Sequence, residues 1–132
     1  MLFVFLNVFL YVFHTALVLF NLFGWLFARI RRWNLLTLLL TTFSWVGMGA
    51  WHGWGYCICT DWHWQVRHRL GYPDDSPTFI HLLLRDLTGI SFPLPFVYNL
   101  TLVGFLISLI GSVTMNIRDW RQASTSPNQE LI

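Results

Sequence analysis

The sequence predicts an all-α membrane protein: three transmembrane helices, with two short interfacial helices between the second and the third. Three observations lead there. Of 132 residues, 55% are hydrophobic and only 11% charged, against roughly 25% charged in a soluble globular chain. Leu2 to Ala28 runs 27 residues without a formal charge, where a helix needs about 20 to cross a hydrocarbon core of about 30 Å. The stretch from Trp51 to Gly71, WHGWGYCICTDWHWQVRHRLG, holds both cysteines, three of the five histidines and four of the eight tryptophans, a composition suited to the boundary between bilayer and water.

The first span is expected over 2–28. Eighteen of its residues are Leu, Phe or Val, and at roughly −0.3 to −0.6 kcal/mol each these favour insertion by about 5 to 11 kcal/mol. It has no basic leader and no small-residue cleavage site, so it is expected to be retained rather than removed as a signal. Asn7, His14 and Asn21 lie seven residues apart, and Tyr11 and Gly24 fall on the same stripe, so one face of this helix should point into protein.

Arg29, Arg31 and Arg32 close that span, with Trp33 as an anchor and Asn34 as the cap of the next helix. A second span is expected over 34–54, where Asn34, Thr37, Thr41, Ser44 and Met48 share a face suited to close helix packing. The connector, 55–95, should hold the two short helices. The first runs from Asp61 to Leu70 with Thr60 as N-cap and Gly71 as stop, lying flat in the interface; the second opens on Ser76 and Pro77 and stops at Gly89. Pro93 and Pro95 precede the last span, 96–117, whose small-residue stripe includes Thr101, Gly104, Ser108, Gly111 and Ser112. Residues 1–122 are read as one membrane domain and 123–132 as a flexible polar tail. With three spans, the arginines of the first loop and of the C-terminal flank fall on one side, which places the N-terminus outside and the C-terminus in the cytoplasm.

Cys57 to Gly71 is followed by Phe79-Ile80, a Leu-rich run and Pro95-Phe96-Val97-Tyr98 leading into the last span. This order resembles the DUF2784 family (domain of unknown function 2784) of small bacterial integral membrane proteins. The family's Cys, Thr, Arg and Gly correspond here to Cys57, Thr60, Arg67 and Gly71. Its usual Pro-Leu after the Cys is Ile58-Cys59 in this chain, and a usual Glu is His63. The resemblance implies a multi-pass protein of the bacterial inner membrane, with those four residues in structural roles, and implies no activity.

His52, Cys57, Cys59 and His63 form the sharpest chemical grouping, since thiolate and imidazole are ligands for zinc, copper and iron. The H-x4-C-x-C-x3-H spacing is not a standard zinc pattern, and buried cysteine with interfacial histidine is an equally good structural reading. A haem held by two histidines would need a second one at the depth of His14, whereas His52 and His81 fall near the outer edge. Arg67 is suited to pairing with Asp61 or with lipid phosphate. No cofactor is predicted; metal or haem remains an alternative.

Several classes drop out. A net charge of +2 carried on dispersed arginines is no nucleic-acid surface. There is no Gly-x-Ser-x-Gly turn, no phosphate-cradling Gly loop, and no carboxylate within the apolar runs. The preferred reading is a non-enzymatic structural or accessory subunit whose partners are the lipid bilayer and either copies of itself or a larger membrane complex. The alternatives are an outer-face redox protein holding metal or haem, and a module that handles lipid or another small molecule.

Overall fold

The computed structural model describes residues 1–73 and 77–125. Helix α1 (Leu2–Phe23) passes through a tight 3-10 turn at Gly24–Leu26 into α2 (Arg31–Thr42). The helix then widens to a π turn over Phe43–Met48 and closes with the single α turn of α3 (Gly49–His52). Next come α4 (Ile58–Arg69), α5 (Phe79–Thr88) and the long α6 (Leu94–Thr125).

Two helices, not three, are long and apolar enough to cross a bilayer among the described residues: Leu2–Leu26 and Leu94–Thr125. Only 6% of the most apolar stretch of the first is buried inside the chain. A helix so apolar and so little covered requires lipid rather than water around it. The segment expected as a middle span fails for physical reasons. It begins at Arg31, carries Asn34, Thr37, Thr41, Thr42 and Ser44, and changes its winding at Phe43. Its polar groups turn toward its neighbours: Asn21 Nδ2 donates to Thr41 Oγ1 at 3.1 Å, and Thr37 donates to Asn21 Oδ1 at 2.7 Å.

The first turn is held by a close approach. Asn34, fully buried, donates to the Phe20 carbonyl at 2.7 Å, and a Cβ on Gly24 would stand 2.8 Å from that same amide nitrogen. Only glycine lets α1 and α2 meet there. Arg31, 6% exposed, donates to the Trp25 carbonyl and, at 2.6 Å, to Asp119 of α6. Ser108 Oγ reaches the Leu22 carbonyl, and Trp45 packs on Phe105 with ring centres 4.6 Å apart. Leu22 thus meets Ser108 and Arg31 meets Asp119, while Trp45 meets Phe105, so the chain from Arg31 to His52 runs opposite to α6.

The interfacial reading of the two short helices is also corrected. Cys57 lies beside His14, His63 beside Asn7, and Arg69 over Phe3. Helix α4 therefore runs antiparallel along the first half of α1. It packs there instead of lying flat, because His63, fully buried, needs a covered site. Helix α5 closes over this pair with Phe79, His81 and Leu82, each at most 5% exposed.

The caps differ from expectation too. Helix α4 is entered through Cys57, in extended conformation, and Thr60 lies in its first turn. The cap of α5 is Thr78, whose hydroxyl accepts from the His81 N–H at 3.2 Å. The expected cap Ser76 lies outside the described residues. Helix α6 continues past Arg118 and Arg121 to Thr125; the rest of the expected tail is likewise outside the described residues.

Candidate functional site

The polar stripe of α1 divides between two partners. Asn21 faces α2, as above. Asn7, Tyr11 and His14, on one face at helical spacing, turn to α4 and α5. Asn7 Oδ1 accepts from His63 Nε2 at 2.9 Å, and the Tyr11 hydroxyl donates to Asp86 of α5 at 3.2 Å. His14, 6% exposed, stacks on Phe79 with ring centres 4.0 Å apart and turns Nε2 to Cys57 Sγ at 3.9 Å. The Phe79 ring also meets Tyr11 at 5.5 Å and His63 at 5.9 Å. One phenylalanine covers two imidazoles, and the Nδ1 atom of each is buried without a hydrogen-bond partner.

Electrostatics follow from this packing. Burial holds His63 down to about 4, with Arg67 and His14 acting in the same direction. Its tautomer agrees: Nε2 donates to Asn7, so the proton of a charged ring would sit on Nδ1, where no acceptor is found. The neighbouring Cys59 thiol lowers the pKa of Cys57, although burial opposes this. His14 and the Thr60 backbone N–H also favour a negative charge on Cys57. The same contact raises Cys59. Both cysteines are free and half-buried.

Of the four candidate metal ligands, Cys57, Cys59 and His63 line this region. His52 stands apart, exposed and stacked on Tyr56 with ring centres 4.5 Å apart. Among the described residues no three His, Cys, Asp or Glu side chains converge so as to hold a metal ion. Arg67 lies over the rings of Trp64 and Tyr72, at 5.8 and 5.0 Å, while Asp61, its expected partner, accepts from Tyr56 at 2.9 Å. Gly71, at φ 79°, ends α4: the Gly71 N–H donates to the His68 carbonyl and the Tyr72 N–H to the Arg67 carbonyl. That paired closure needs a left-handed residue, which glycine supplies at least cost.

A family model described as Protein of Unknown function (DUF2784) matches residues 4–117, a span that covers all but the first two residues of α1, the whole of α4 and α5, and most of α6. The chain belongs to the DUF2784 family. This DUF2784 chain is a small bacterial membrane protein. The same comparisons find no match among curated proteins or solved structures.

Sequence reasoning for this DUF2784 chain missed the pairing of His14 with Cys57. The two are 43 residues apart, and no periodicity links different helices. The readable signal was one-sided: the α1 stripe announced a buried polar face without naming what covers it. Phe79, the cover, was noticed only as part of a motif order.

Proposed function

We propose that the protein is a non-enzymatic accessory subunit of the bacterial inner membrane, a single multi-pass domain over residues 1–122 that packs beside another membrane protein. The observation that carries this reading is the outward face of α1. Its polar side chains Asn7, Tyr11, His14 and Asn21 are engaged within the chain. Outward, Phe5, Phe9 and Phe13 stack in one row, centres 6.2 and 6.0 Å apart, and are 64, 51 and 47% exposed. A charge-free aromatic ridge is a surface against which a neighbouring apolar helix packs well.

The Arg31–Asp119 contact supports an orientation as well. It places Arg29, Arg31 and Arg32 at the same end of the molecule as Arg118 and Arg121. By the positive-inside rule that end faces the cytoplasm, and because α1 and α6 then run the same way, residues 31–52 bring the chain back toward the outer side packed along α6 rather than as an apolar span of their own.

The test is gentle solubilisation of native membranes followed by affinity recovery of the tagged full-length chain, with and without Phe9→Ser. A second membrane protein in fixed ratio, lost in the variant, is expected. Recovery of the chain alone at its own mass overturns the subunit reading.

A further inference from the structure

We propose that Cys57 and His14 form a thiol–imidazole pair that makes Cys57 a site of exchange with small disulfides at the end of the bundle capped by α4 and α5. The site is assembled from two helices. Cys57 is the residue on which the 12-residue α4 opens, next to the first-turn N–H groups that favour a negative atom. His14 comes from α1, more than nine-tenths buried, with Nε2 turned to the sulfur at 3.9 Å.

Neither the helix end nor the cysteine would suffice alone. The independent observation is the pair of buried imidazoles, His14 and His63, each with Nδ1 unpartnered beneath Phe79. Burying polar nitrogens without partners costs about 1–3 kcal/mol each. Asn34 Oδ1 is the third such atom among the described residues, but only at His14 does the unpartnered atom belong to a side chain whose other polar atom faces a thiol.

The groups around Cys57 that carry or exchange charge are His14 from α1, and Cys59, Asp61 and His63 from α4, with Tyr56 just before it; α5 brings the Phe79 ring. The step balances as follows. The Cys57 proton passes to His14 Nε2, where the adjacent thiolate, absent at His63, balances the charge on the ring, and the sulfur attacks one sulfur of the disulfide. The bond from Cys57 to that sulfur forms, the original S–S bond breaks, and the departing thiolate takes the proton back from His14. Net, Cys57 thiol plus RSSR gives the Cys57–SR mixed disulfide plus RSH. The oxidant is the disulfide itself. Half-burial of Cys57 limits the partner to a small molecule.

The probe is 2,2′-dipyridyl disulfide, applied to the full-length protein in detergent at pH 5.5. Two variants each keep one thiol: Cys59→Ser retains Cys57, and Cys57→Ser retains Cys59. An ordinary thiol is roughly 0.1% ionised at that pH. With the Cys59 thiol replaced by a hydroxyl, His14 and the helix end bring Cys57 to about half ionisation, a gain of about 500-fold, and the weaker nucleophilicity of a thiol whose pKa is lower by about 3 returns about 20–30-fold of it. Cys57 should therefore react about 20 times faster than Cys59, with one pyridylthio adduct by mass. Adding His14→Phe to the Cys59→Ser protein, which keeps a ring against Phe79, should bring the rate to within about threefold of Cys59. Equal rates for the two single-thiol proteins overturn the proposal. A rate unchanged by His14→Phe, in protein with wild-type helicity, overturns the role of His14. If that variant does not fold, His14→Gln repeats the comparison, and the Cys57 to Cys59 ratio decides the matter on its own.

Discussion

Acidification should loosen the contact between α4 and α1 through His63. The ring is fully buried, neutral and held at about 4, chiefly by burial and then by Arg67 and His14, whereas a free imidazole takes its proton near 6.5. The sign follows. Above pH 6.5 the ring is neutral in both folded and unfolded chains and costs nothing. Between 6.5 and 4 the unfolded chain binds a proton that the folded chain refuses, so stability falls by about 1.4 kcal/mol per pH unit. The loss is about 2 kcal/mol at pH 5 and about 3 kcal/mol near pH 4, below which it levels off. Tryptophan fluorescence of the full-length protein in detergent, with denaturant midpoints taken from pH 7.5 to 4, reads this directly. His63→Gln keeps a donor for Asn7 and cannot titrate, so its midpoints should stay flatter by the same amount. A variant that loses stability with the wild-type slope would refute the assignment.

Other parts of the bundle give sharper steric and ionic expectations. Asp119→Asn takes away the charge that pairs with buried Arg31, leaving an amide oxygen and the Trp25 carbonyl as acceptors; because Asp119 is 43% exposed on its side, the cost should be about 1–2 kcal/mol rather than the 3–5 of a fully enclosed pair, seen as a lower unfolding midpoint. Gly24→Ala places a methyl 2.8 Å from Asn34 Nδ2 and should cost about 1–3 kcal/mol, while Gly104→Ala, whose Cβ stands 3.4 Å from Leu22, should be nearly silent; comparing their midpoints in one detergent checks the contrast. Phe79→Ala removes the ring over His14, Tyr11 and His63 and should cost about 3–5 kcal/mol, with faster hydrogen exchange in α4 and α5 than in α6.

The parts legible in the sequence are those set by local chemistry. An uncharged apolar run marks α1 whatever lies beside it, and Gly71 and Gly89 mark helix ends through their positive φ of 79° and 74°. The middle segment departs from expectation because a polar stripe of Asn34, Thr37 and Thr41 reads equally well as the packing face of a span and as the bonded face of a shorter helix held against α1. Arg31, read as the end of a span, is a buried bond between helices. A charge that looks like a boundary in one dimension is a clasp in three.

The same distinction governs the site. Positions 7, 14 and 21 share a face because two helical turns take about seven residues, and the sequence states that much. They stand at different heights, so each meets whatever element lies there: Asn7 meets His63, His14 meets Cys57, and Asn21 meets Thr37 and Thr41. Where the partner is a threonine hydroxyl, both ends of the amide are satisfied and the contact is packing. Where the partners are imidazoles and a thiol, Nδ1 atoms remain unpaired. One stripe thus ends in two different chemistries, and the surplus hydrogen-bonding capacity at His14 and His63, rather than the density of cysteine and histidine between Trp51 and Gly71, points to where the chain has room to act.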